Sequence, residues 1–236
     1  MAMRRLILFF LATVLSLGVL QADSITLGAP ATGRNGFPFG MVAGGSAGAR
    51  YQQVYSSGQF AGPMTITEIN FFLHTAGNLA DAVFTLSFST TSALVDALNT
   101  VNFDANLGVN NALVTSVDLG GAAAPAVLSF GGAPFAYDPS AGNLLLDIQL
   151  TDIVLRGTAF YQARNGDAGG IFSRAHNFGV GFEGYGLVTQ FVFTPAGAPS
   201  APEFSGTLYG MPNFGWLAGL AGGLLGFAVI RRKSIA

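Results

Sequence analysis

The chain has no cysteine, one tryptophan, two histidines and a single lysine in 236 residues. Without cysteine there are no disulfides, no thiolate nucleophile and no Cys-type zinc or iron–sulfur centre. His74 and His176 are a hundred positions apart and fit neither an HxxxH nor an H-E-x-x-H spacing, which would set two metal ligands on one face. Each reads as a hydrogen-bonded structural residue, and no metal or cofactor is expected. The lone lysine, Lys233, sits near the C-terminal end. Between Asp23 and Glu203 there are five arginines against all twelve acidic residues, a net charge of −7. Such a surface repels phosphate backbones, so a nucleic-acid partner is not expected.

Half of the ten basic residues lie at the two ends. Arg4 and Arg5 precede an apolar run from Leu6 to Leu20, and Gln21-Ala22-Asp23 follows. A basic start, a short apolar centre and a small residue at position 22 describe a secretory signal peptide cleaved before Asp23, with an uncleaved anchor as the alternative. At the other end, Phe214 to Ile230 carries no charged side chain and is followed by Arg231-Arg232-Lys233. Seventeen residues are at the short end of the roughly 17 to 25 that span a bilayer, and Leu208, Tyr209 and Met211 extend the run outward. The basic cluster marks the cytoplasmic end and sets the topology. The expected organisation is a signal peptide (1–22), an ectodomain (23–194), a Pro/Gly-rich linker (195–207), a transmembrane helix (208–230) and a cytoplasmic tail (231–236).

Pro202-Glu203-Phe204, the apolar run and the terminal basic cluster together resemble the PEP-CTERM sorting signal of bacterial envelope proteins. Phenylalanine stands where the commoner motif has a second proline, and residues 204–230 separate the motif from Arg231. The resemblance implies that an exosortase-like membrane protease-transpeptidase cuts near Pro202-Glu203-Phe204. An inner-membrane intermediate would then be passed to the outer surface or to an extracellular, exopolysaccharide-rich matrix. The same tail is also labelled an ice-binding-protein C-terminal domain, a label that implies nothing about ice. Two internal stretches, Arg50 to Tyr55 with Gly62 to Thr67, and Tyr137 to Gly142 with Asn143 to Asp147, are similar to segments of uncharacterised proteins with this tail. They imply no activity.

Periodicity in the ectodomain points to strands. Phe84, Leu86 and Phe88 alternate with Thr85 and Ser87, and Leu144, Leu146, Ile148 and Leu150 alternate with Asp147 and Gln149. Period two is the pattern of a sheet with one wet face. Further strands are expected over 50–55, 64–73, 113–119, 126–130, 158–163 and 186–193, with turn-forming residues between them. Asp138-Pro139-Ser140-Ala141-Gly142 reads as a turn that feeds the next strand. Only 91–98 has helical spacing, through Leu94, Val95 and Leu98. The fold class is therefore all-β, an antiparallel β-sandwich of jelly-roll type, with a barrel as the alternative.

Catalytic patterns are present only in unsuitable contexts. Gly44-Gly45-Ser46-Ala47-Gly48 matches a nucleophile elbow, but that turn needs a strand before it and a helix after it. Gly179, Gly181 and Gly184 match a dinucleotide fingerprint with no βαβ unit around it. Glu68, Glu183 and the aspartates show no spacing that selects a glycosidase pair. Asp104, Asn106, Asn110 and Asn111, with Asp138 and Asp167 elsewhere, offer oxygens for calcium but lack the alternating ladder and closing Glu, so they read as turn formers.

No catalytic residue is therefore assigned. The expected function is that of a non-enzymatic surface or biofilm-matrix structural protein, with the membrane, the processing protease and exopolysaccharide as partners. The alternatives are a sugar-binding module and a secreted hydrolase. For sugar binding, Tyr137, Tyr161 and the aromatics from Phe172 to Tyr185 offer stacking surfaces. The candidate ligand surface is Phe172, Arg174, His176, Phe178, Glu183 and Tyr185, within what reads more simply as a long loop covering the core.

Overall fold

A computed structural model describes residues 22–40, 48–164, 169–177 and 182–197. Residues 1–21 of the expected signal peptide, the motif Pro202-Glu203-Phe204, the apolar run and Arg231-Arg232-Lys233 lie outside the described residues. Among the described residues no helix is long and apolar enough to cross a membrane.

The described chain is all-β. Its strands are β1 (Asp23–Leu27), β2 (Gly33–Asn35), β3 (Ala49–Tyr55), β4 (Met64–Thr75), β5 (Asp81–Thr91), β6 (Ala112–Asp118), β7 (Val127–Tyr137), β8 (Asn143–Leu155), β9 (Phe160–Arg164), β10 (Phe172–His176), β11 (Phe182–Glu183), β12 (Gly186–Leu187) and β13 (Thr189–Pro195). They form two antiparallel sheets. In the first, β13 lies between β1 and β4; β4 also pairs β7 and, at its end, β9, which in turn pairs β2 and β12. The second runs β11-β10-β3-β8-β5-β6.

The two sheets face each other over an aromatic core. Tyr55 of β3 meets Phe191 of β13 with ring centres 5.0 Å apart, and Phe88 of β5 meets Phe135 of β7 at 5.7 Å. Phe39, fully buried in the turn before β3, touches Phe71, Phe84, Phe130 and Tyr161 at 4.8 to 5.7 Å. Each tilted or edge-on pair adds about 1 kcal/mol beyond the area it buries. Leu144, Leu146, Ile148 and Leu150 point into this core, as their alternation requires.

The opposite face of β3 and β8 is wet only in part: Gln149 is exposed, but much of the rest is covered. The segment between β5 and β6 lies across it, and Ala93, Val95, Leu98, Phe103 and Leu107 pack on Val54, Leu145 and Ala175. Asp147 and Gln52, on this outer face, are therefore 1% and 0% exposed. The expected helix over 91–98 does not form: Val95 and Asp96 make a turn, and Asp96 has φ +62°. Side chains take over the backbone hydrogen bonds that a helix would make. Ala93 N–H donates to Thr91 Oγ1 at 3.0 Å and Asp96 N–H to Ser173 Oγ at 2.7 Å.

Other boundaries also moved for physical reasons. β7 runs past Phe130 to Tyr137 despite Pro134, because it pairs only β4 and its register shifts between Ile66 and Glu68. The 138–142 turn forms as expected. Asp138 Oδ1 accepts from Ser140 N–H at 2.9 Å and Ser140 O–H at 2.8 Å, and Gly142 has φ +145°. These hydrogen bonds hold the Asp138 carboxyl below its ordinary range.

Candidate functional site

The stretch expected to be a core-covering loop contains β10, which pairs β3 from Phe172 opposite Tyr55 to His176 opposite Tyr51. Alternation on β10 sends Phe172 into the main core, while Ser173 and Ala175 face the 92–107 segment. Phe172 is 0% exposed and does not reach a ligand surface. Glycine explains how its ring fits. A Cβ on Gly186 would sit 2.5 Å from the ring and one on Gly28 2.6 Å from its other edge, so the ring lies in a slot left by two missing side chains.

Arg174 is also buried, at 6% exposure, with its guanidinium 4.7 Å over the Tyr185 ring. It stands in register with Gln53 on β3 and with Glu183 on β11. His176 is half-buried, its ring 5.3 Å from that of Phe37. Phe178 lies outside the described residues. Of the six expected residues, the structure thus brings Arg174 and Tyr185 into contact, places His176 two positions along β10, and assigns Phe172 to the core.

The neighbouring polar groups join the two sheets. Gln53, fully buried, donates from Nε2 to Leu187 C=O at 3.0 Å and accepts Leu187 N–H at 2.8 Å, and its Oε1 also accepts from the Tyr51 hydroxyl. Tyr55 and Thr189 share a hydroxyl hydrogen bond of 2.8 Å. Burial pushes the Tyr55 phenol well above its ordinary pKa. This is a satisfied interior network that fixes β12 and β13 to β3.

The remaining patterns find structural employment or lie elsewhere. Ser46, Asp167, Gly179 and Gly181 are outside the described residues. His74 Nδ1 hydrogen-bonds Thr75 Oγ1 at 2.9 Å. Asp104 pairs Arg50 at 2.7 Å, Asn106 is 2% exposed and bonds Gln52 at 2.7 Å, and Asn110 accepts Thr90 N–H at 2.8 Å. Asp104, Asn106 and Asn110, which suggested calcium, thus hold the 92–111 segment to the sheet. Among the described residues no three acidic or histidine side chains gather as a metal site.

An open cleft of about 590 Å³ lies beside the start of β1 and the end of β13, lined by Ile25, Phe60, Pro63, Met64, Phe193 and Pro195, with Asp23 its one charged group. A smaller one, about 290 Å³, is formed by Arg156, Gly157, Thr158 and Phe160. Beside it, Arg34 from β2 stacks on Phe160 and bonds Thr75 of β4, contacts between distant strands that no short spacing in the sequence signals.

Comparison with protein-family models, with curated proteins and with solved structures finds no match to this chain.

Proposed function

We propose that the chain is an exported cell-surface or extracellular-matrix structural protein, associated with exopolysaccharide and built on a jelly-roll sandwich. The observation that carries this reading is the three-part tail: Pro202-Glu203-Phe204, an uncharged apolar run to Ile230, and Arg231-Arg232-Lys233. The apolar run inserts in the inner membrane with the basic cluster inside, and an exosortase-like protease-transpeptidase cuts near the motif and releases the ectodomain.

The jelly-roll reading is supported by strand order. With β1, β3, β4, β5, β6, β7, β8 and β13 taken in chain order, the first, eighth, third and sixth are neighbours in one sheet. The second, seventh, fourth and fifth are neighbours in the other, which is the order of a hairpin ribbon rolled into two sheets. The β9–β12 stretch is then an excursion between the seventh and eighth strands.

Export is supported by where the domain's edges fall. β1 starts at Asp23, the residue expected after signal cleavage, and pairs β13 from Asp23 opposite Phe193 to Leu27 opposite Thr189. Both cuts would therefore fall outside the paired strands.

Intact mass and cell fractionation of the protein from its native host, with Glu203→Ala in parallel, test the reading. The expected product ends near residue 203, lies outside the inner membrane, and is lost in the variant. A product that keeps Arg231 to Ala236 and stays in the membrane overturns it.

A further inference from the structure

Arg34 on β2 stacks on Phe160, and Arg156 after β8 lines the same cleft as Phe160. The Arg34 guanidinium lies 4.6 Å over the Phe160 ring and donates from Nη1 to Thr75 Oγ1 at 3.0 Å. Phe160 also lines the cleft of about 290 Å³ that holds Arg156, Gly157 and Thr158. Among the described residues the ion pairs are both made by Arg50, with Asp104 and Asp147, so neither Arg34 nor Arg156 is neutralised by a carboxylate. Asp81 stands opposite Leu155, next to Arg156, without forming an ion pair with it.

The floor of the cleft is fixed. Thr158 N–H and Ala159 N–H both donate to Asn78 C=O, at 2.8 and 3.0 Å. Asn78 N–H donates to Thr158 Oγ1 at 3.0 Å, which leaves the hydroxyl proton to donate outward. A Cβ on Gly157 would fall 2.3 Å from Asn78 O, so the backbone is packed tightly against its neighbour.

We propose that Arg34, Thr158, Phe160 and Arg156 form a binding site for an acidic sugar residue, its carboxylate held by the two arginines and its ring against the part of Phe160 that Arg34 leaves uncovered. A guanidinium stacked on an aromatic ring has a fixed plane and presents the fork that fits a carboxylate. Phe160, half-buried, supplies the apolar floor, and the Thr158 hydroxyl supplies a donor. An anionic membrane is a poorer fit, because surface attraction to lipid uses clusters of about four to eight Lys or Arg and the proposed site has two arginines. The domain's overall −7 does not prevent local capture, since charges more than about 10 Å away are largely screened at 0.1 M salt. The proposal takes from the surface reading only the place where an acidic polysaccharide would be met.

The test is binding of the purified full-length chain to immobilised polygalacturonate at low ionic strength. Neutral dextran and vesicles of phosphatidylglycerol and phosphatidylethanolamine serve as comparisons. Wild type is expected to bind polygalacturonate in preference to dextran and to weaken as salt rises, while vesicle binding, which the 208–230 run supports by itself, is expected to be the same in wild type and in the variants. Arg34→Gln combined with Arg156→Gln is expected to lose about tenfold in affinity, with only a small fall in the urea midpoint from the lost Arg34 contacts to Thr75 and Phe160. Arg156→Gln alone, whose side chain makes no hydrogen bond among the described residues, should lose part of that affinity. Equal binding of polygalacturonate by the double variant, equal binding to dextran, or vesicle binding that the double variant loses each overturns the proposal. Fractionation separates the two readings: a matrix-located protein without polygalacturonate affinity sinks only the site. Affinity in a protein that never leaves the inner membrane sinks only the surface role.

Discussion

Arg50 on β3 grips Asp147 on β8 with two hydrogen bonds, Nε to Oδ1 at 2.8 Å and Nη2 to Oδ2 at 3.0 Å. The carboxylate is 1% exposed beneath the 92–107 segment and also accepts from Gln52 and Gln149, both at 3.1 Å. Removing the guanidinium leaves a buried charge short of its counter-ion, so Arg50→Ala should cost about 3 kcal/mol in urea unfolding. Asp147→Leu added to Arg50→Met should restore much of that, because an apolar pair needs no compensation. A loss below about 1 kcal/mol for the single variant would show that the amides alone satisfy Asp147.

Gly186 meets Phe172 so closely that a methyl there would lie 2.5 Å from two ring carbons and 2.8 Å from Gln53 Cδ. Overpacking of this kind costs about 1 to 3 kcal/mol, and Gly186→Ala should fall at the upper end because Gln53 is pinned to Leu187 on both sides. Phe172→Ala should cost about 4 kcal/mol, as expected of a core ring. Thermal melts of both variants decide the matter: a Phe172→Ala protein as stable as wild type would return that ring to the surface.

These two sites show which parts of the fold could be read from the sequence. β5 and β8 were legible because Phe84, Leu86, Phe88 and Leu144, Leu146, Ile148, Leu150 repeat at the strand period and do face the core. Asp147 looked wet for the same reason, since period two identifies two faces and says nothing of what covers the second. The cover comes from 92–107, whose Leu94, Val95 and Leu98 imitate a helical stripe; Leu94 ends 64% exposed while Leu98 is buried. β10 was hidden because Phe-Ser-Arg-Ala-His mixes a core ring with a buried arginine, whose burial depends on Tyr185 eleven residues away. The Arg34–Phe160 contact spans more than a hundred residues and has no local signature.

Asn106 secures that covering segment. Its amide donates to Gln52 Oε1 at 2.7 Å and to Asn99 C=O at 2.9 Å, and its Oδ1 accepts Asn99 N–H at 2.8 Å. Asn106→Ala would leave these buried partners unsatisfied and should cost about 2 to 3 kcal/mol. Limited proteolysis should then cut between 92 and 111 at protease levels that spare wild type. Calcium should not protect the segment in either protein, because Asp104 is already committed to Arg50. Calcium-dependent resistance to cleavage would revive the metal reading.

Tyr161 lies between the sheets at 0% exposure, with Phe39 5.5 Å away, and its hydroxyl has no hydrogen-bond partner among the described residues. Burial pushes the phenol from 10.0 up to about 12, since the charged form would have to sit in an apolar interior. The folded pKa is the higher one, so the stabilising contribution is whole below pH 10.0 and is lost as pH rises toward about 12, where the unfolded chain binds fewer protons. Tyr161→Phe keeps the ring and removes both the orphan hydroxyl and the titration. It should raise stability near neutral pH by about 1 kcal/mol and flatten the alkaline fall. Urea midpoints near pH 7 and across that alkaline window test both parts. A variant less stable than wild type near pH 7 would mean that the hydroxyl has a partner, and the account of Tyr161 would fail. A variant more stable near neutrality but with the same alkaline fall would move that fall to Tyr55, whose buried phenol is shifted in the same direction.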